Sequence, residues 1–234
     1  MRLKENLRRL AQNWTPERIG HHSIDLLELW LTVDHIARYK FAQSYVVNKT
    51  VLDVACGTGY GTALLSQQAK TVVGVDISDK AIELAKRKHQ TQNSVFVLSE
   101  AINFLKTTHG FDVICSFETI EHIEDYLTFL QLVHSRLNLG GTLIISSPNK
   151  EFGELLLSGP VSSYHCQEFK TEEMRDMLKE IFGSSSKIYK QRIFSRKRIF
   201  VSALFSFFVP WSFIREEEDS FSGVTDIFVV QKKD

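Results

Sequence analysis

A chain of 234 residues, 43% hydrophobic and 24% charged, is long enough for one sizeable core with an appended segment and has the make-up of a soluble globular protein. Lys plus Arg equals Asp plus Glu at 28 each, which excludes a global field for attracting nucleic acid and leaves that task to a local basic patch. Cys56, Cys115 and Cys166 form no CxxC pair and cannot all pair within the chain, as expected of a reducing, cytoplasmic compartment, and the charged run Met1 to Leu10 shows no signal peptide.

Apolar residues recur at helical spacing from Ile24 to Val47 (Leu27, Trp30, Leu31, Ile36, Tyr39, Ala42, Val46), which predicts one or two helices forming a cap over residues 1–48. Strands and helices then alternate. Val51–Ala55 reads as a strand and Tyr60–Gln68 as a helix. Thr71–Val75 is a second strand, followed by a helix over Asp79–His89 with Ser78 as its N-cap. Val95–Leu98 is a short strand before a helix near Ala101–Lys106. Phe111–Ser116 is the fourth strand, and the helix Asp125–Leu137 stops at Asn138-Leu139-Gly140-Gly141. Thr142–Ser146 is the fifth strand, closed by Pro148-Asn149. A helix over Thr171–Phe182 precedes two last strands, Lys187–Phe194 and Val224–Gln231. The core is thus expected over 49–194 and 223–234, with an insertion at 195–222.

This alternation implies an α/β fold with a mostly parallel sheet and helices on both faces. Ligands of such sheets sit beyond the carboxyl ends of the strands, and the Gly57–Gly61 turn, Asp76, Glu100 and Glu118 all fall at predicted strand ends.

Within the insertion, Ile199–Ile214 is apolar except for three serines and holds five phenylalanines and Trp211. It is shorter than the roughly 20 residues of a spanning helix, and Pro210 interrupts it. Three readings compete: a lid over an apolar acceptor, a homodimer contact, or a peripheral contact with the inner face of a membrane, with Arg196-Lys197-Arg198 near headgroups. The phenylalanines form no amphipathic stripe, which favours the lid or the oligomer contact.

The run Val51-Leu52-Asp53-Val54-Ala55-Cys56-Gly57-Thr58-Gly59-Tyr60-Gly61 reads as a buried strand, a glycine-rich turn and a helix N-terminus. The dinucleotide pattern G-x-G-x-x-G fails because Thr62 stands where the third glycine belongs, and no Gly-Lys-Ser/Thr follows for a Walker-type phosphate loop. Asp53, two residues ahead of the turn, is unhelpful to a pyrophosphate and suits a ligand with an ammonium group. Asp76 at the end of the second strand can accept from both ribose hydroxyls, and Glu100 at the end of the third can meet an adenine amino group. Nucleoside, ammonium and no phosphate together describe S-adenosylmethionine. In the alternative reading the glycines only permit a turn and Asp53 caps the helix.

VLDVACGTGYG, VVGVDIS, the SEA triplet, FDVICSFETIEHIED and LNLGGTLIISSPN together resemble a class I S-adenosylmethionine-dependent methyltransferase over about Val46 to Ser147. The resemblance implies a Rossmann-like seven-stranded sheet with an antiparallel last strand. It implies that Asp53, Gly57 and Gly59 hold the methionine end, with Ala55 and Phe117 also in the cofactor site. Asp76 would bind the ribose, Ile77 pack on adenine, and Glu100 with Ala101 read the adenine edge, although SEA stands where such enzymes commonly carry Gly-Asp-Ala. HIARYKFA resembles the helix that closes over the cofactor, which makes Tyr39 a lid contact.

On the acceptor side, Glu118, Glu121 and His122 share one face if helical, and two carboxylates with an imidazole suit a divalent cation such as Mg. His165 is a fourth ligand or a base. The pattern ExxEH followed by SPNKEF and YHCQEF resembles two metal-assisted O-methyltransferase groups, one acting on quinone precursors and one on the ribose 2′-hydroxyl of small-RNA 3′ ends. The plainer reading has Glu121 capping a helix and His122 packing. The expected activity is O-methylation of a small-molecule or glycan hydroxyl, with Glu118, His122 and His165 as catalytic residues. The alternatives are a quinone or lipid acceptor at a membrane surface, a non-catalytic cofactor-binding module, and an RNA ribose methyltransferase, which the neutral charge disfavours. A nicotinamide dehydrogenase is disfavoured by Thr62.

Overall fold

The computed structural model describes residues 26–157, 164–192, 194–195, 212–218 and 221–233. The element order is α1 (Leu26–Ala42), β1 (Thr50–Val54), α2 (Tyr60–Ser66), β2 (Thr71–Asp76), α3 (Asp79–His89), β3 (Ser94–Leu98), α4 (Ala101–Thr107), β4 (Phe111–Phe117), a 3-10 turn (Ile120–His122), α5 (Tyr126–Arg136), β5 (Leu137–Pro148), α6 (Lys150–Leu157), α7 (Thr171–Phe182), β6 (Lys187–Gln191), β7 (Phe194–Ser195), β8 (Ile214–Glu216), β9 (Phe221–Ser222) and β10 (Thr225–Gln231).

Eight strands form one sheet in the order β3-β2-β1-β4-β5-β10-β6-β8, and β7 pairs with β9 apart from it. Neighbours from β3 to β5 are parallel, while β10 runs antiparallel between β5 and β6. The chain leaves β1 toward β2 on one side and returns to β4 on the other, so the strand order reverses between β1 and β4. The expected seven strands are joined by an eighth. Ile214–Glu216, from the end of the insertion, pairs antiparallel with β6 and covers its outer edge. The apolar run Ile199–Ile214, apart from its last three residues, lies outside the described residues, as do residues 1–25 of the expected cap. No helix among the described residues is long and apolar enough to cross a membrane.

Alternate residues of β1 build both halves of the core. Leu52 and Val54 face a cluster with Ile114, Phe129, Leu178 and Phe228, and Val51 faces another with Leu65, Val72, Cys115 and Ile144. The helices are locally encoded. Ser78 Oγ accepts from the Ala81 amide at 3.3 Å, and four basic residues end α3. Asp125 Oδ1 caps α5 through the Thr128 amide at 3.2 Å. Gly140 and Gly141, expected to end a helix, lie instead within a longer β5, whose register against β4 shifts between Phe111 and Val113. The helix α6 was not expected. Asn149 starts it by accepting the Phe152 amide at 3.0 Å.

Candidate active site

The carboxyl ends of β1, β2 and β4 surround the glycine turn. Ala55 adopts a left-handed backbone (φ 57°), as do Gly57 (φ 53°) and Gly59 (φ 84°), and these bends fold the turn back over the sheet. A Cβ on Gly59 would lie 2.7 Å from Ala85 and Phe96, so this glycine is required by close packing on α3 and β3. Gly57 has nothing within 4 Å on its open side. Its amide donates to Asp76 Oδ2 at 2.8 Å, and the Ser78 amide donates to Oδ1 at 2.8 Å. Turn and acid therefore form one hydrogen-bonded unit, as a shared ligand requires. Next to Asp76, Ile77 is 71% exposed, a large apolar residue left open to solvent.

Asp53 is fully buried beneath this turn. Its Oδ1 accepts from the Tyr39 hydroxyl at 3.1 Å and its Oδ2 from Thr62 Oγ1 at 2.6 Å. Burial pushes its carboxyl up to about 7, against the two hydroxyl hydrogen bonds that favour the ionised form. Tyr39 closes over it, edge-on to Phe117 at 5.0 Å between ring centroids and to Tyr60 at 5.8 Å. A Cβ on Gly61 would lie only 2.0 Å from the Tyr39 ring. Thr62, the residue that breaks the dinucleotide pattern, thus has a role in fixing Asp53. Glu100 is engaged at the helix terminus: Oε1 accepts from the Ile102 amide at 2.9 Å and Oε2 from the Asn103 amide at 2.8 Å, which caps α4 where Ala101 begins it.

Past β4, Glu118 has a left-handed backbone (φ 51°) and the Ile120–His122 segment is a 3-10 turn. The helical face expected for Glu118, Glu121 and His122 therefore does not form. Glu118 turns to β5, where Ser146 Oγ donates to its Oε1 at 2.8 Å. Glu121 is 1% exposed, and neither carboxylate oxygen has a hydrogen-bond partner among the described residues. Burial, and then the nearby Glu118, hold its carboxyl well above the usual carboxylate range.

The Glu121 carbonyl accepts from the Cys166 amide at 2.8 Å and the Gln167 amide at 3.2 Å, which pins the 164–167 segment beside the 3-10 turn. This brings His165 to His122, ring centroids 5.0 Å apart. Ligand atoms of Glu121, His122 and His165 lie within 4.8 Å of one another. His122 Nδ1 lies 3.2 Å from the Tyr164 carbonyl, and His165 Nδ1 lies 2.7 Å from Glu168 Oε1. Each ring is thereby oriented by an oxygen at Nδ1, the arrangement that leaves Nε2 for a metal ion. Burial, with His165 nearby, lowers the His122 pKa, favouring the neutral ligand form. Of the four expected ligands, Glu121, His122 and His165 bring ligand atoms together, while Glu118, close enough for its charge to act on Glu121, accepts from Ser146.

Ser146, Glu168 and Arg38 complete the surroundings and were not singled out from the sequence. Glu168 was readable as an acid three residues after His165. The others depend on distant partners, as with the buried Arg38, whose Nη1 donates to Gln191 Oε1 at 2.6 Å.

The sequence matches the family described as methyltransferase domain over residues 6–181. It is 31% identical over 147 residues to the tRNA U34 carboxymethyltransferase of Shewanella denitrificans, across 61% of this chain and 44% of that one. The chain therefore spans less than half the length of the curated relatives of this kind that it matches. Among solved structures, a SAM-dependent methyltransferase of Thermotoga maritima superposes with a TM-score of 0.65 at 17% identity, covering 88% of this chain and 92% of its own. The N-methyltransferase NodS of Bradyrhizobium japonicum, solved with S-adenosyl-L-homocysteine, superposes with a TM-score of 0.61 at 16% identity, covering 99% of this chain and 98% of its own. With the family matched over more than half of its length, and the fold and turn that the match requires, the chain belongs to the S-adenosylmethionine-dependent methyltransferases.

Proposed function

We propose that the protein is an O-methyltransferase acting on a hydroxyl of a small molecule or glycan, with a divalent cation held by Glu121, His122 and His165. The observation that carries this reading is Glu121, a buried carboxylate with neither oxygen hydrogen-bonded among the described residues, beside two imidazoles oriented through Nδ1. Held by these three residues, a cation would supply Lewis-acid chemistry that lowers the pKa of an acceptor hydroxyl.

The chain's own residues supply the rest. Asp76 and the Gly57 turn hold the nucleoside, with Ile77 against the adenine. Glu100 and Ala101 serve the cofactor through the start of α4. Tyr39 and Phe117 exclude water near the methionine end, over Asp53. S-Adenosylmethionine supplies a methyl group already activated by its sulfonium, so catalysis is mainly placement. Glu118, steadied by Ser146 at the end of β4, takes the acceptor proton. We assign residues 1–48 to a cap and the Ile199–Ile214 run to a lid or oligomer contact.

The test is methyl transfer from labelled S-adenosylmethionine to phenols, free sugars and oligosaccharides, amines and tRNA, with EDTA and with Mg²⁺ or Mn²⁺ restored. Transfer to a hydroxyl that EDTA abolishes and metal restores is expected. Transfer to an amine, or undiminished transfer in EDTA, refutes the reading. A second reading, an RNA acceptor, is favoured by the relatives named for tRNA U34. It predicts transfer to tRNA and steep weakening of binding with salt.

A further inference from the structure

Four buried polar side chains from four parts of the chain meet in one cluster: Asn149 after β5, Thr171 at the start of α7, Lys190 on β6 and Asp226 on β10. The Thr171 hydroxyl is the hub. It donates to Asp226 Oδ2 at 2.6 Å and accepts from Lys190 Nζ at 2.7 Å and from Asn149 Nδ2 at 3.1 Å. Asn149 Nδ2 also reaches Asp226 Oδ2 at 2.9 Å, and Lys190 Nζ donates to Asp226 Oδ1 at 2.8 Å. Glu217, on the return of the insertion, places a second acid 3.4 Å from the same Nζ. A buried ion pair of this kind is weak evidence for stability, because well-packed apolar residues hold elements together as firmly. A fully connected polar network supplies direction instead, since each hydrogen bond fixes an orientation.

The cluster stands at the neck of an excursion. The chain leaves β5 at Asn149 and comes back beside it at Thr171, 22 residues later. Backbone contacts close the same neck: Asn149 forms a parallel bridge with Phe169, and the Lys150 amide donates to the Phe169 carbonyl at 3.1 Å. His165 and Glu168 ride on the returning limb. Glu168 Oε1, which lies 2.7 Å from His165 Nδ1, belongs to the residue just before Phe169. Farther out, the limb is fastened through the Cys166 and Gln167 amides to the Glu121 carbonyl. The limb that carries His165 is thus held at two points, one on the 3-10 turn and one on the last strands of the sheet.

We propose that Asn149, Thr171, Lys190 and Asp226 form a clasp that seats the acceptor side: their hydrogen bonds close the neck of the 149–171 excursion and so set where His165 and Glu168 stand against Glu121 and His122. The proposal rests on the reading of those residues as the acceptor site. The four members of the clasp are positioning residues, which act through the limb and not at the reacting atoms. Thr171 is the sensitive point, because its one hydroxyl joins the other three.

The experiment compares wild type with Thr171→Val, which keeps the shape and loses the hydroxyl, with Thr171→Ser, which keeps the hydroxyl, and with Lys190→Met combined with Asp226→Leu, which removes both charges together. Hydrogen exchange is read at the Cys166 and Gln167 amides, whose acceptor is the Glu121 carbonyl, and at β1 and β2 for reference. Thr171→Val and the double variant should speed exchange at Cys166 and Gln167 about tenfold, with Thr171→Ser within about twofold of wild type and β1 and β2 unchanged throughout. S-Adenosylhomocysteine affinity by calorimetry should stay within about twofold in every variant, since the glycine turn shares no partner with the clasp. Mn²⁺ affinity by electron paramagnetic resonance should drop about tenfold in Thr171→Val and recover in Thr171→Ser. Wild-type exchange at Cys166 and Gln167 in Thr171→Val overturns the proposal. So does equal acceleration in β1 and β2, which marks general loosening, or Thr171→Ser as fast as Thr171→Val, which marks lost packing. Unchanged Mn²⁺ affinity in Thr171→Val, where the wild type binds the ion, overturns it too. Wild-type protein that binds no Mn²⁺ overturns the cation reading beneath it, and the exchange rates then decide the clasp by themselves.

Discussion

Replacing Asp53 with asparagine tests the electrostatics of the buried acid directly. The carboxyl stands at about 7 in the folded protein because burial disfavours its charge, whereas an unfolded aspartate titrates near 3.9. The folded state thus binds the proton more tightly. The stability this contributes is fully present below the unfolded pKa and is lost as pH rises through about 7. Linkage puts the loss at about 2.5 kcal/mol between pH 5 and pH 8. The amide introduced by Asp53→Asn is neutral throughout and of nearly the same size, and either the Tyr39 or the Thr62 hydroxyl can turn to accept from it. Urea unfolding of both proteins without cofactor, in chelator, at several pH values from 5 to 8 gives two curves. Other titrating groups cancel in the difference. The variant should gain on the wild type by about 2.5 kcal/mol across that range. Parallel curves would refute the argument that Asp53 carries a proton near neutrality.

Three further outcomes are expected. Asp76→Ala removes the acceptor shared by the Gly57 and Ser78 amides, and calorimetry should show S-adenosylhomocysteine binding at least tenfold weaker; equal affinity counts against the ribose role. Gly61→Ala places a methyl group against the Tyr39 ring and should destabilise the fold by about 1–3 kcal/mol; the loss should shrink in a Tyr39→Ala background, and equal losses in both would show that Tyr39 is not the obstacle. Glu168→Gln weakens the orientation of His165, and Mn²⁺ affinity measured by electron paramagnetic resonance should drop roughly 10–100-fold; an unchanged affinity removes His165 from the ligand set.

Much of the fold was legible because strand runs rich in β-branched residues, such as Thr71–Val75 and Phe111–Ser116, alternate with helices whose caps are local, as at Ser78 and Asp125. The glycine turn and its acid were readable for the same reason: Gly57 and Asp76 are local to their strands, and only the sheet register had to bring them together. What escaped depended on context. The strand β8 is three residues long and largely polar, with no periodicity to announce it. Gly140-Gly141 has the composition of a turn, yet it serves a strand irregularity. Spacing alone made Glu118, Glu121 and His122 a helical face, but the left-handed backbone at Glu118 breaks it. The cluster forms by another route, the capture of Cys166 and Gln167 by the Glu121 carbonyl. Arg38 gave no signal because its partner Gln191 lies 153 residues away.

The helix α1 is fastened at two distant points of the sheet. Tyr39 reaches Asp53 on β1, while Arg38 holds Gln191 on β6 and Phe41 stacks edge-on to Tyr189 of the same strand. These anchors straddle three intervening strands, so the helix behaves as a tie-beam and cannot fray from one side alone. Amides in the last two turns of α1 should exchange with solvent at the pace of the central strands, in one concerted opening and not by peeling.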